Sequence, residues 1–209
     1  RSSEQRLQEQ KRYVSGSPQW TEVRALRQLG RGETGSTVSL TVRRGETENT
    51  CEVARSDHRI PWGQLLVDDR PNTVDTLHAG VRYVDLTRAV WPTLRQHIGE
   101  LADADRVVFD LRGYPTGGAL KLLPHLSGDT LRSARFQKPQ FIYPDQEKIV
   151  GYDASGRWTL PPEKPQITGD VVFLTGPGAI SYAETIMGIV EHYDLGTIVG
   201  RPTAGANGN

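Results

Sequence analysis

Two short apolar runs, Val107-Val-Phe-Asp-Leu111 and Val171-Val-Phe-Leu-Thr175, constrain this chain more than anything else in it. Each is bounded by charged residues or glycine, is too short for a helix, and leads into a glycine-containing loop. Runs of this form are strands of a parallel sheet covered on both faces. Upstream, Val81 to Leu86 reads as a further strand. Val90, Leu94, Ile98 and Leu101 then recur four, four and three residues apart, which is one face of a helix. Strand, helix and Val107–Leu111 form a β-α-β unit whose crossover should be right-handed. After Val171–Thr175, a helix presents Ile186, Met187, Ile189, Val190 and Tyr193, and Thr197 to Val199 starts another strand. The expectation is an α/β fold.

The flanks differ. Ser3 to Arg12 is polar, a solvated helix or an arm. Val23, Leu26 and Leu29 give a short helical stripe over Glu22 to Leu29 that stops at Gly30, and Val38–Val42 and Thr50–Ala54 alternate around a turn at Arg43–Glu46, a β-hairpin. The segment from Ser56 to Leu77, rich in Asp, Arg and Pro, reads as a connector, so two units are expected, 1–56 and 57–209. Between Leu131 and Thr168 an aromatic, Pro-rich stretch with a turn at Asp153–Gly156 reads as a hairpin insertion, for packing, for a subunit contact in a homo-oligomer, or as a lid on a substrate groove. The chain opens inside a charged segment and stops after Gly208-Asn209, so it reads as a piece of a longer protein.

Charge balance excludes one class of partner. Lys and Arg total 25 and Asp and Glu total 25, leaving no net charge to gather into a nucleic-acid-binding face. No run approaches the roughly 18 apolar residues of a membrane span, and the polar start is not a signal peptide. The lone Cys51 allows neither an internal disulfide nor a Cys-rich metal site.

In open α/β sheets, ligands bind at the carboxyl ends of the strands, and two loops lie there: Arg112-Gly-Tyr-Pro-Thr-Gly-Gly118 and Gly176-Pro-Gly-Ala-Ile-Ser-Tyr-Ala-Glu184. Paired glycines allow backbone N–H groups to face a ligand without side-chain interference. Ser181 stands where a helix begins. Its hydroxyl there feels the positive end of the helix dipole, and the next N–H is free to stabilise an oxyanion. The competing assignment makes Ser181 an N-cap, with Glu184 completing the capping box Ser-x-x-Glu. Asp110 and Arg112 either pair with each other or hold the loop or a substrate carboxylate.

Taken together, Asp110-Leu-Arg-Gly-Tyr-Pro-Thr-Gly-Gly118, Val171–Thr175, Ser181-Tyr-Ala-Glu184 and Val199-Gly-Arg-Pro-Thr-Ala-Gly205 resemble the S41 serine peptidases, over about residues 80 to 209. The resemblance implies a ClpP/crotonase-like core and peptide-bond hydrolysis without metal or organic cofactor. It also implies a polypeptide substrate and a periplasmic or extracellular location. It maps the nucleophile onto Ser181 and the oxyanion donors onto the N–H groups of Tyr182 and of Gly117 or Gly118. Glu184 is the last residue of the nucleophile motif, as a cap or as the group orienting a base. The short helix and Gly35–Gly45 resemble the closing part of a PDZ domain, a peptide-binding module whose carboxylate loop would lie upstream of Arg1.

One departure stands out. Processing peptidases of this family place a lysine 25 positions after the serine, and here that position is Ala206. The sequence is closer to tricorn-like branches, which use a histidine and an acidic residue, with the histidine expected beyond Asn209. Within the chain, His192 is excluded by its place about 16 Å along the serine helix. His58 lies in the connector and His97 on a helix beside its stripe, while His78, His125 and Lys121 are weaker base candidates. Two other functions compete. A catalytically silent relative could hold an apolar or peptide ligand, and a crotonase-type acyl-CoA enzyme would need a basic cluster that the loops lack.

Overall fold

The computed structural model describes residues 2–57 and 70–206. In chain order its elements are α1 (Ser3–Lys11), α2 (Pro18–Gln28), β1 (Thr37–Arg44), β2 (Thr47–Ala54), β3 (Val74–His78), β4 (Val81–Asp85), α3 (Trp91–Ala102) and β5 (Arg106–Leu111). There follow α4 (Gly118–Leu122), running into a 3-10 turn at Leu123–Leu126, then β6 (Leu131–Arg132), β7 (Phe136–Phe141), β8 (Ile149–Gly156), β9 (Thr159–Leu160), β10 (Asp170–Thr175), α5 (Tyr182–His192) and β11 (Thr197–Gly200).

The central sheet has the order β11-β10-β5-β4-β3, parallel throughout except for the β3–β4 hairpin. From β4 to β5, β5 to β10 and β10 to β11 the chain always steps toward the same edge. Right-handed crossovers then place α3 and α5 on one face of the sheet. Burial agrees with this. Val84, Val107, Phe109, Leu111 and Phe173 belong to one core cluster with Leu94, Ile98 and Leu101 of α3 and Ile186, Ile189 and Val190 of α5. Phe109 and Phe173 are register neighbours, and their rings lie 5.3 Å apart.

Val107–Leu111 is covered on both faces, as expected: Val107, Phe109 and Leu111 are buried on the helix side, and on the other side Asp110 is buried and Val108 half-buried, so the buried side chain of that face is a carboxylate and departs from an apolar pattern. Val90 also departs from the α3 stripe. It precedes the helix in extended conformation and is half exposed, because Pro92 in the first turn starts the helix at Trp91.

The expected connector of 56–77 yields a strand at its end, β3, which gains its hydrogen bonds by pairing with β4. The rest of that segment includes residues 58–69 and His58, which lie outside the described residues. In the insertion, Asp153–Gly156 lies inside β8 and is not a turn. The chain reverses between Phe141 and Ile149, where the Gln146 N–H donates to the Tyr143 carbonyl (3.1 Å) and Gln146 takes φ 57°. At the N-terminal end, α1 buries no residue, α2 buries Val23 and Ala25, and β1 pairs with β2 alone.

Candidate active site

Leu111 and Thr175 are partners across β5 and β10, so the two loops expected to carry the chemistry leave the same edge of the sheet side by side. The rings of Tyr114 and Tyr182, one from each loop, lie 6.1 Å apart, and Trp158 of the insertion meets Tyr182 edge-on at 5.6 Å. Burial pushes the pKa of the Tyr182 phenol up, opposed in part by the Leu120 N–H of the first turn of α4. The residue after the candidate nucleophile thus bolts the serine loop to the glycine loop.

Among the described residues three helices begin at a serine, which allows an internal comparison. Ser2 (φ −66°, ψ 159°) and Ser17 (φ −62°, ψ 156°) have the extended backbone of an N-cap, and each hydroxyl accepts a backbone N–H at 3.2 Å. Ser181 also closes a capping box, with the Glu184 carboxylate accepting the Ser181 N–H at 2.8 Å. Yet its backbone stands at φ 54°, ψ −104°, a conformation that glycine adopts readily and serine does not. Capping requires no such strain.

Glu184 does more than cap. Its Oε2 takes the Ser181 N–H, and its Oε1 takes the Thr203 hydroxyl at 2.9 Å and the Gly205 N–H at 2.6 Å. The Ala206 N–H lies 3.3 Å from Oε1 and 3.1 Å from Oε2. Ala206, which stands where the family lysine would be, is therefore anchored through its backbone. The Ala204 N–H donates to the Ala179 carbonyl (2.9 Å), joining the same strand-end segment to the serine loop.

The two glycines separate into different roles. A Cβ on Gly118 would lie 2.9 Å from the Trp91 nitrogen and 3.0 Å from Leu94 Cδ1, and the Gly118 N–H donates to Thr116 Oγ1 (3.2 Å). Gly118 is thus fixed by the packing of α4 on α3. Gly117 is exposed, has open space where a Cβ would be, and its N–H has no partner among the described residues. The Tyr182 N–H is likewise unpartnered among them. Thr116 sets the loop by donating its hydroxyl to the Ala89 carbonyl and its N–H to the Leu86 carbonyl (2.9 Å).

Asp110 is fully buried and pairs with Arg112 through Nε (3.0 Å) and Nη2 (2.5 Å), while the Tyr83 hydroxyl donates to it at 2.7 Å. Burial alone would raise the Asp110 pKa; the hydrogen bonds from Arg112 and Tyr83 outweigh it and hold the carboxyl below its usual range. Arg70, from the polar connector, donates to Asp85 (2.9 Å) and lies 3.8 Å from Asp110. The sequence pointed to the Asp110–Arg112 pair but not to Arg70, whose role depends on a fold that returns the connector to the strand ends.

The four described histidines lie away from the serine loop. His125 is buried, with Nδ1 2.8 Å from the Pro165 carbonyl oxygen and its ring stacked on Trp91. His97 lies 3.5 Å from Glu100, His192 packs on Tyr193 at the far end of α5, and His78 is exposed at the end of β3. Lys121 sits over the Trp91 ring. Among the described residues, none of these groups is hydrogen-bonded to Ser181.

A mostly parallel sheet with its crossover helices on one face, and two loops converging at the carboxyl ends of neighbouring strands, is an α/β architecture. The model of Peptidase family S41 matches residues 80–209, and the chain belongs to that family of serine peptidases. Similar solved structures include the photosystem II D1 C-terminal processing protease (16% identity, TM-score 0.50, covering 88% of this chain and 48% of that one). Mature CPAF is similar at 13% identity and TM-score 0.58, with 92% and 59% covered, and mature CPAF complexed with lactacystin at 14% and 0.59, with 96% and 62% covered. The chain thus spans between about half and three-fifths of the length of these structures, and at such identities the likeness is one of fold. No curated protein matches it.

Proposed function

We propose that this chain supplies the nucleophile and the oxyanion donors of a serine peptidase acting on polypeptide. Ser181 Oγ attacks the scissile carbonyl, and the tetrahedral oxyanion accepts the N–H groups of Tyr182 and Gly117 at the positive end of α5. Collapse expels the amine and leaves an acyl-enzyme, which water then hydrolyses. The observation that carries this reading is the strained backbone of Ser181 beside two ordinary serine caps in the same chain. Strain of this kind collects where a side chain must project from a sharp strand-to-helix turn.

Glu184 acts here as a holder of the serine backbone and of the 203–206 segment. Its carboxylate is occupied by four donors, so it is not the proton acceptor. We assign that role to a histidine outside the described residues, as in the tricorn-like branches, and place the protein in the periplasm or outside the cell on its resemblance to the S41 peptidases. The test is labelling by a fluorophosphonate probe together with casein hydrolysis, in the protein carrying this chain and in its Ser181→Ala variant. Both should be present in the first and absent in the second. A folded wild type that neither labels nor cleaves would identify a ligand-binding relative instead.

A further inference from the structure

The first turn of α2 is joined to the serine through a chain of hydrogen bonds across more than 180 residues of sequence. The Ser17 hydroxyl donates to the Ala204 carbonyl at 2.6 Å and Gln19 Nε2 donates to the Thr203 carbonyl at 2.8 Å, with separations of 187 and 184 residues. The same short segment faces Glu184 on its other side, through the Thr203 hydroxyl and the Gly205 and Ala206 N–H groups. Glu184 in turn accepts the Ser181 N–H. Residues 203–206 are therefore a peptide plate between α2 and the carboxylate that holds the serine. Gly205, at φ 70°, brings the backbone close to Ser17, where a Cβ would lie 3.4 Å from Ser17 Cβ.

We propose that Gln19, with Ser17, is a positioning residue for Ser181, acting through the 203–206 plate and Glu184. The physical reason is directional. The carboxylate can hold Ser181 in its strained conformation only if its other donors stay in place, and the carbonyls of that donor segment are fixed by α2 alone among the described residues. Bonds from a carboxylate to backbone N–H groups are short and strong, so a shift of the plate passes to the serine and is not absorbed. Helix α2 thereby acts on the serine from a distance. This inference rests on Ser181 being the nucleophile.

Gln19→Glu tests it. A carboxylate repels the Thr203 carbonyl oxygen, while an acidic residue in the first turn of α2, which has none, favours the helix dipole. The melting temperature should therefore hold. The rate of fluorophosphonate labelling should fall by about tenfold or more, since misplacement by a fraction of an ångström is enough to do so. In peptide hydrolysis kcat should fall with KM unchanged. Thr203→Val removes the opposite side of the plate and should also lower the rate. The double variant should lose less than the product of the two single losses, because both act through Glu184. Labelling of Gln19→Glu at the wild-type rate would overturn the link while leaving Ser181 as nucleophile. Failure of the wild type itself to label would remove the nucleophile assignment, and this inference with it.

Discussion

Replacing Ser181 by glycine should make the protein more stable while abolishing its activity. At φ 54°, ψ −104° the serine occupies a region that costs a non-glycine residue about 1–3 kcal/mol, and glycine reaches it without a clash. Against a central strain of about 2 kcal/mol stand about 0.5–1 kcal/mol for the greater freedom of unfolded glycine, and a few tenths for the lost cap. The net gain is about 1 kcal/mol, or about 2–4 °C in Tm for a chain of this size. Ser181→Ala keeps the strain and loses the hydroxyl, so it should melt at or below the wild type. Ser17→Gly is the control: at an extended cap it should cost a few tenths of a kcal/mol and gain nothing. The assay is thermal unfolding followed by circular dichroism, paired with fluorophosphonate labelling. Ser181→Gly melting below the wild type would refute the argument, because the unusual backbone would then store no strain and Ser181 would behave as a cap.

Gly117→Pro removes the proposed oxyanion N–H at a φ of −61° that proline accepts, so kcat should fall by about 10²–10³ with the far-ultraviolet spectrum unchanged. Gly118→Ala forces a Cβ against the backbone of Trp91 and should cost about 1–3 kcal/mol in urea unfolding, whereas Gly117→Ala meets open space and should change stability by less than about 1 kcal/mol. Asp110→Asn leaves Arg112 and Arg70 short of a buried partner and should cost about 3–5 kcal/mol. The depressed Asp110 pKa also gives a pH signature: its contribution to stability is full above the unfolded value of about 3.9 and is lost as the pH falls from there through the lower folded value. Urea midpoints measured from pH 7 to pH 2 should show that loss in the wild type, and Asp110→Asn should make it smaller, with Asp85 and Asp75, whose carboxyls are also held below their usual range, supplying the remainder.

The α/β core was legible because its signals are local. A short apolar run such as Val107–Leu111 has few alternatives to a buried strand, and the Leu94, Ile98 and Leu101 spacing admits one helical face, so both appear where the sequence put them. The turn inside the insertion was misplaced because Asp153-Ala-Ser-Gly156 has turn composition, yet pairing with β7 holds it extended. The one-sided core was also out of reach of the pattern, since strand direction and crossover handedness decide which face the helices cover.

At the site, the residue types of the Gly-Gly loop and of Ser-x-x-Glu supplied the candidates, and the family resemblance gave each a proposed role. The difference between Gly117 and Gly118 is visible only in the tertiary structure, because it depends on Trp91, Leu94 and Thr116 closing around one glycine and leaving the other open. The strain at Ser181, the four donors on Glu184 and the arrival of Ser17 and Gln19 at Thr203–Ala204 are likewise properties of the folded chain. By itself the sequence determined which strands, helices and reactive groups exist, because those follow from side chains a few positions apart. Which backbone N–H groups stay free and what holds the serine were decided by contacts between segments up to 187 residues apart, and no local pattern encodes them.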